Sequence, residues 1–536
     1  MPKTLVAIAA VFVLAGTVSP KAPAAQRFRS EPDDSRLTEA QRVLQRAWSL
    51  FESPAAAFRS HSPVAGGRDA TLVLRDLAMR TGALSPAERA RARSILARPT
   101  DGAKDPGGFG YRVPARSWCG VNLCLHWVRS TGDAPPNGDV NHSGLNDWVE
   151  HTRSVLLHVW NVEIGDLAYK EPKPDDGAPN FGTRGNPDER LDVYLADTGA
   201  RGIYGYCATD DATAKDGSHR GVSSYCVLDN DFQEFPGSTP LDDLKATAAH
   251  EFFHAVQFGY DWREDVWFME GTATWVEDLV YDGINDHYQY LRDSALTVPK
   301  HPVDKTGGGF PYGSWLFFRF LEEHAGGPAT IRRAWSLAQA ADAGPGLYSL
   351  QALRRALAHG GRDFAAVFTD FSANNAVAAR SYAEGAGYRK LTGPTRVARD
   401  FTLGPGRRGV ADVLHISHLA SKYVALRPSK GLADAHLRVH VDLPARYKGA
   451  RATVVLTSPT GASSKRRINL DEWGNGGMTI PFGRRVTKKV MLALASASTR
   501  LKECGKHGED PSGSISCSGK AIDDRRPFSF TARLAP

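Results

Sequence analysis

Residues 241–280 read LDDLKATAAHEFFHAVQFGYDWREDVWFMEGTATWVEDLV. At its centre His250-Glu251-Phe252-Phe253-His254 forms an HExxH sequence. Ala246, Ala248 and Ala249 precede it and favour a helix. On a helix the i, i+4 spacing sets both imidazoles on one face, where they reach one metal ion. Glu251 projects beside them and is placed to take a proton from a metal-held water. The same residues also fit two ordinary histidines on a buried helix, so the choice rests on the residues downstream of the motif.

A catalytic zinc site usually has three protein ligands and an open position. Glu270, sixteen residues after His254, Asp261, seven after it, and Glu277, twenty-three after it, can each supply the third. Gln257 and Tyr260 stand where metzincins carry Gly and His, which excludes that subclass. Glu277 and Asp278 are also candidates to accept the second N–H of a ligating histidine, or are plain surface acids.

The segment Trp267–Asp278, WFMEGTATWVED, resembles the W-x-x-E-G-x-x-x-x-x-E/D stretch of gluzincin metallopeptidases. There a second helix opens with Glu-Gly and the Glu is the third zinc ligand. The resemblance implies that Glu270 completes the site and that Gly271 lets the helices approach closely. Met269, where many gluzincins have Asn, and a shorter gap before Glu270 depart from the pattern. With YCVLDNDF at 225–232 and PYGSWLFFRFLEE at 311–323, the chain over roughly 70–390 resembles a little-characterised family of secreted bacterial metalloproteases.

That resemblance implies a zincin-like domain, Zn²⁺ on His250, His254 and Glu270, and peptide hydrolysis. Zinc brings the pKa of its water to about 7, and Glu251 carries the proton to the leaving amine. Tyr312 is the candidate second donor to the oxyanion, because gluzincins often use a downstream Tyr. Packing in an aromatic-rich helix is its other reading. Family analogy also makes LDVYLADTG, 191–199, the edge strand for an extended substrate.

Residues 139–150, DVNHSGLNDWVE, form a second cation candidate. Asp139, Asn141, Ser143, Asp147 and Glu150 fall at oxygen-donor positions of a calcium loop, Leu145 at its carbonyl position, and Gly144 at its sharp turn. No helix precedes it, since DAPPNG is turn-like, and an Asx-rich turn capping a helix fits equally.

The chain has 536 residues, enough for two or three domains. Apolar residues at 42% and charged residues at 23% exclude wholesale disorder. Residues 1–25 have a basic start, a short apolar run and a small-x-small sequence, which reads as a secretory signal peptide. No later stretch approaches the roughly 18 apolar residues of a membrane helix, so a secreted, not membrane-spanning, protein is expected. Six cysteines fit export; they form three local pairs, Cys119/Cys124, Cys207/Cys226 and Cys504/Cys517, expected as disulfides.

The net charge of +7 hides opposed blocks. Residues 131–290 hold 10 basic and 30 acidic groups, whereas 396–536 hold 25 and 11. The expected fold class is α+β. A helical region or propeptide at 26–115 precedes the zincin-like metallopeptidase domain at 116–395, and a basic antiparallel β-sandwich occupies 396–536. The expected function is a secreted zinc endopeptidase acting on proteins or peptides. A zinc hydrolase of another cell-surface amide and a non-catalytic surface-binding protein are the alternatives; an intact Glu251 speaks against the latter. The basic region suits an anionic cell-surface polymer or a folding role. Nucleic acid is not expected, since no recognition motif is present.

Overall fold

The computed structural model describes residues 37–52, 70–104, 110–174, 190–211, 221–339, 347–504 and 515–535. The expected signal peptide lies outside them. The fold is α+β.

Three helices open it: α1 (Glu39–Glu52), α2 (Ala70–Arg80) and α3 (Pro86–Ile95). Ser85 caps α3 with Glu88 as a reciprocal capping box, as the Ser-Pro-Ala-Glu sequence predicts. Strands β1 (Arg116–Cys119) and β2 (Leu123–Trp127) then form a hairpin. Helix α4 (Asp147–Trp160) comes next, ending in a π turn at Asn161–Asp166. The strands β3 (Leu191–Ala196), β4 (Gly205–Ala208) and β5 (Tyr225–Asp229) complete this part.

These five strands form one sheet in the order β1-β2-β3-β5-β4. Strands β2, β3 and β5 run parallel, while β1 and β4 are antiparallel edges. This corrects the expectation that LDVYLADTG is an edge strand: β3 is the central strand, and all six of its residues are buried. A run buried on both faces is what a central parallel strand carries.

The long helix α5 (Pro240–Asp261) packs on β4, β5 and α4, and α6 (Val266–Val280) folds back on it. After a 3-10 segment at Asp286–Asp293 come α7 (Phe310–Gly313), α8 (Trp315–His324), α9 (Pro328–Ala338), α10 (Ser349–His359), α11 (Phe364–Asn375) and α12 (Gly385–Thr392). One apolar core runs from Ala40 to Tyr388 and takes in Leu419, Ala495 and Ala497 from the C-terminal region, so the N-terminal helices share it with the sheet and with α5 and α6.

The C-terminal region holds β6 (Arg399–Leu403), β7 (Gly409–Ile416), β8 (Ala420–Pro428), β9 (His436–Asp442), β10 (Ala450–Thr457), β11 (Ser463–Arg467), β12 (Asn475–Pro481), β13 (Lys489–Ser496), β14 (Leu501–Lys502), β15 (Lys520–Ala521) and β16 (Arg526–Ala535). Sheets β11-β10-β13-β8-β6 and β12-β9-β16-β7 share a second core, from Leu403 to Leu534. The sequence predicts a purely antiparallel sandwich; β6 instead pairs parallel to β8. A third cluster joins Ala373 of α11 and Ala376 just beyond it to Tyr423, Val455 and Met491.

All three expected disulfides are formed. Cys207–Cys226 ties β4 to β5 at a directly opposed pair. Among the described residues, no helix is long and apolar enough to cross a membrane.

Candidate metal centre

Helix α5 carries His250, Glu251, His254 and Gln257 on consecutive turns, and the first turns of α6 present Glu270. Each of these side chains is at most 4% exposed. The two Nε2 atoms are 3.1 Å apart. Glu270 Oε2 lies 3.2 Å from His250 Nε2 and 3.6 Å from His254 Nε2. Metal–ligand bonds of about 2.0 Å in a tetrahedral zinc site put ligand atoms about 3.3 Å apart, so these three atoms fit such an ion. Glu270 Oε1 has no hydrogen-bond partner. Of the three sequence candidates, Glu270 converges with the imidazoles; the Asp261 carboxylate accepts from the Arg263 N–H at 3.0 Å.

Each imidazole is oriented from behind. Glu277 Oε1 is 2.7 Å from His250 Nδ1, one of the places the sequence allows it. Gln257 Oε1 is 2.7 Å from His254 Nδ1, and its amide donates to the Met269 carbonyl at 2.9 Å and to Thr272 Oγ1 at 3.0 Å. Acceptors at both Nδ1 atoms hold a proton there and turn both Nε2 atoms toward Glu270, where His250 Nε2 lies within hydrogen-bond distance of Oε2. In the sequence Gln257 stands out only as a departure from metzincins; its i, i+3 relation to His254 on one helix face is the signal for its role.

The electrostatics are those of a preformed anionic site. Burial opposes charge on His250, yet the Glu270 and Glu277 carboxylates raise its pKa to about 10. Burial likewise opposes charge on Glu270, but His254 and His250 hold it down to about 2. A divalent cation bound here would displace the His250 proton. Nearby, Glu163 in the π turn is buried, neither carboxylate oxygen has a hydrogen-bond partner, and burial pushes its pKa well up. A buried carboxylic acid of this kind has no signal in the sequence.

Gly271 meets a neighbour other than the one expected. A Cβ there would stand 2.2 Å from Ser314 Oγ and 2.7 Å from the Phe318 ring, so glycine admits the α7–α8 junction against α6. Tyr312, on that junction, is buried with its ring stacked on His250 at 6.0 Å and on Tyr290 at 4.8 Å. The contact is a ring face against the His250 imidazole. Asp278 points away from the centre, toward Arg319 and His287.

The N-terminal helices cover the site. Thr71 of α2 donates from Oγ1 to Glu251 Oε2 at 2.7 Å and accepts the Cys207 N–H of edge strand β4 at 2.8 Å. Arg75, one turn on, donates to the Glu264 carbonyl at 2.9 Å, just before the start of α6. From the other side, the C-terminal region braces α6: the Cys517 N–H donates to Asp265 Oδ1 at 2.7 Å and Trp267 Nε1 donates to Ser516 Oγ at 2.8 Å.

The calcium-loop residues form one turn, with Gly144 at φ +82°. Its side-chain oxygens accept from the loop itself. Asp139 takes the Ser143 and Gly144 N–H groups at 2.9 and 3.0 Å, and Asp147 takes the Val140 N–H at 3.1 Å. Asn141 donates to Glu150 at 2.7 Å, Ser143 Oγ donates to the Leu145 carbonyl at 3.3 Å, and Asn146 caps α4.

No family model matches the chain, and no curated protein matches it. Among solved structures, the pre-peptidase C-terminal domain of collagenase from Bacillus anthracis is 9% identical, covering 26% of this chain and 97% of that one, at a TM-score of 0.15. The lysozyme inhibitor PliG from Aeromonas hydrophila is 11% identical, covering 26% and 98%, at 0.16. Likenesses at this level carry no argument about fold or function.

Proposed function

We propose that the chain is a secreted zinc-dependent endopeptidase with a zincin-like domain of gluzincin type. The observation that carries this reading is the convergence of His250, His254 and Glu270, with Glu251 beside them and both Nδ1 atoms held from behind. Bound zinc would supply a Lewis acid and a water acidified to near neutral pKa. Glu251 would accept the proton from that water and return it to the departing amine. Glu277 and Gln257 hold the ligand rings, and Tyr312 packs His250 in place. The antiparallel edge β4 is the strand that an extended peptide would join, taking the role sequence analogy gives to β3. The three disulfides suit an exported protein.

In this arrangement α2 occupies that edge and engages Glu251. We infer that the N-terminal helices are a pro-segment, which sharpens the choice between helical cap and propeptide. The basic β-sandwich is read as a brace for α6 that also suits an anionic cell-surface polymer.

Two measurements test these readings. Full-length protein is loaded with zinc and offered a peptide library, with Glu251→Ala as control. Cleavage by the parent once the N-terminal helices are released, and metal-loaded inactivity of the variant treated alike, are expected; full zinc occupancy with no cleavage after that release overturns the peptidase. A protease recognition sequence placed within residues 110–115 tests latency. Cutting there should release the helices and raise cleavage at least tenfold. Undiminished activity in the uncut chain would overturn the pro-segment.

A further inference from the structure

Eight residues beyond Glu270, about 12 Å along α6 at 1.5 Å per residue, a second group of ligand-type side chains converges. Asp278, His287 of the 3-10 segment and Glu384 before α12 bring one ligand atom each within 4.8 Å of one another. His287 Nε2 lies 3.7 Å from Asp278 Oδ1 and 3.8 Å from Glu384 Oε2. Those separations are too long for hydrogen bonds. They are close to the about 3.4 Å between ligand atoms that share a metal at about 2.1 Å, and to the 3.6 Å between His254 and Glu270.

The site is built rather than superficial. Side-chain exposure is 0% for His287, 1% for Asp278 and 20% for Glu384. Neither ring nitrogen of His287 has a hydrogen-bond partner, nor does Asp278 Oδ1. Trp315 and Tyr288 pack edge-on against the His287 ring and fix its plane.

Charge points the same way. Arg319 lies within 4.0 Å of four carboxylates, Asp278, Glu322, Glu323 and Glu384. One guanidinium against four acids leaves an excess of negative charge in a largely dry place, which a divalent cation would offset. Arg319 takes Asp278 through Oδ2 at 3.0 Å, so Oδ1 remains directed at His287. Among the described residues, two further groups with converging ligand atoms offer less. The Cys124 sulfur is in a disulfide, and Asp229 is engaged by the Phe232 and Asp231 N–H groups at 2.6 and 3.2 Å.

We propose that Asp278, His287 and Glu384 bind a second divalent metal ion of the zinc class. One imidazole and two carboxylates are a mixed N/O set suited to zinc. The span from Glu270 excludes a two-metal catalytic pair, whose ions lie about 3.5–4 Å apart. The second ion is structural: it clips the far end of the ligand helix α6 to the segments that carry His287 and Glu384.

The test counts metal. Full-length protein is equilibrated with zinc chloride, passed over a desalting column and analysed by elemental mass spectrometry. Two zinc ions per chain are expected in the parent, one in His287→Asn and one in Glu270→Ala. Circular dichroism verifies folding, and Asp278→Asn replaces His287→Asn if the latter unfolds. One ion in the parent with no loss in His287→Asn and Asp278→Asn overturns the second site while leaving the first intact. Loss on His287→Asn with none on Glu270→Ala overturns the first and keeps the second.

Discussion

Glu277 Oε1 and His250 Nδ1 stand 2.7 Å apart in a buried contact, so the ring that faces Glu270 is fixed by a carboxylate two turns further along the same helix as Glu270. Groups of this kind typically contribute 10–100-fold in metal affinity. Glu277→Ala is therefore expected to weaken zinc binding by that factor, measured by competition with a fluorescent chelator, and Glu277→Gln by less. Unchanged affinity in both would show that His250 needs no such support.

Gly271→Ala places a methyl group 2.2 Å from Ser314 Oγ. Overpacking of this sort costs about 1–3 kcal/mol. The melting temperature should fall and zinc affinity should fall with it, because Glu270 is the adjacent residue. Adding Ser314→Ala removes the nearest atom and should restore part of both. A Gly271→Ala protein as stable as the parent would mean that α6 shifts freely at this point.

His418 of the C-terminal region and Asp304 form a buried pair at 3.0 Å. Burial opposes charge on His418, but Asp304 raises its pKa from 6.5 to about 9. Burial also opposes charge on Asp304, whose pKa His418 lowers. A raised histidine stabilises fully below pH 6.5 and loses that contribution as pH rises through about 9. Asp304 contributes above its ordinary pKa and loses its share in acid. Denaturant titrations should show at most about 3 kcal/mol of stability lost between about pH 6 and about pH 9.5 through this pair. His418→Asn should flatten that slope, and an unchanged slope would assign it elsewhere.

In the 139–150 turn Asp139 caps two backbone N–H groups, so Asp139→Ala should cost about 1 kcal/mol without any cation present. Differential scanning fluorimetry with and without calcium separates the two readings of this loop. A calcium-induced rise in melting temperature in the parent that Asp139→Ala abolishes would establish a cation site. Equal curves would establish a self-contained turn.

The parts of the fold legible in the sequence are those fixed by local spacing. The i, i+4 histidines, the alanine-rich approach, the Glu270-Gly271 pair in the second turn of α6 and the Ser85 capping box all act within a few residues, and they mark out α5, α6 and α3. The three disulfides are legible because each cysteine pair brackets a short loop. Strand order is not: β4 is only four residues, Gly205–Ala208, and becomes an edge through pairing with β5 across a stretch of chain. The all-buried LDVYLA run does carry the mark of a central strand. Thr71 leaves no trace in the sequence, since 180 residues separate it from Glu251 and only the packing of α2 on β4 joins them.

The contacts of Asp265 with Cys517 and of Trp267 with Ser516 span 252 and 249 positions of the chain. They hold the entry to the helix that bears Glu270, and Cys517 is itself fixed by its bond to Cys504. On the peptidase reading, a nascent molecule would lack these supports of its centre until Ser516 and Cys517 have been made and the Cys504–Cys517 bond has formed. The order of synthesis and oxidation would then act as a safeguard, keeping a hydrolase of this kind idle among the proteins of the cell that makes it.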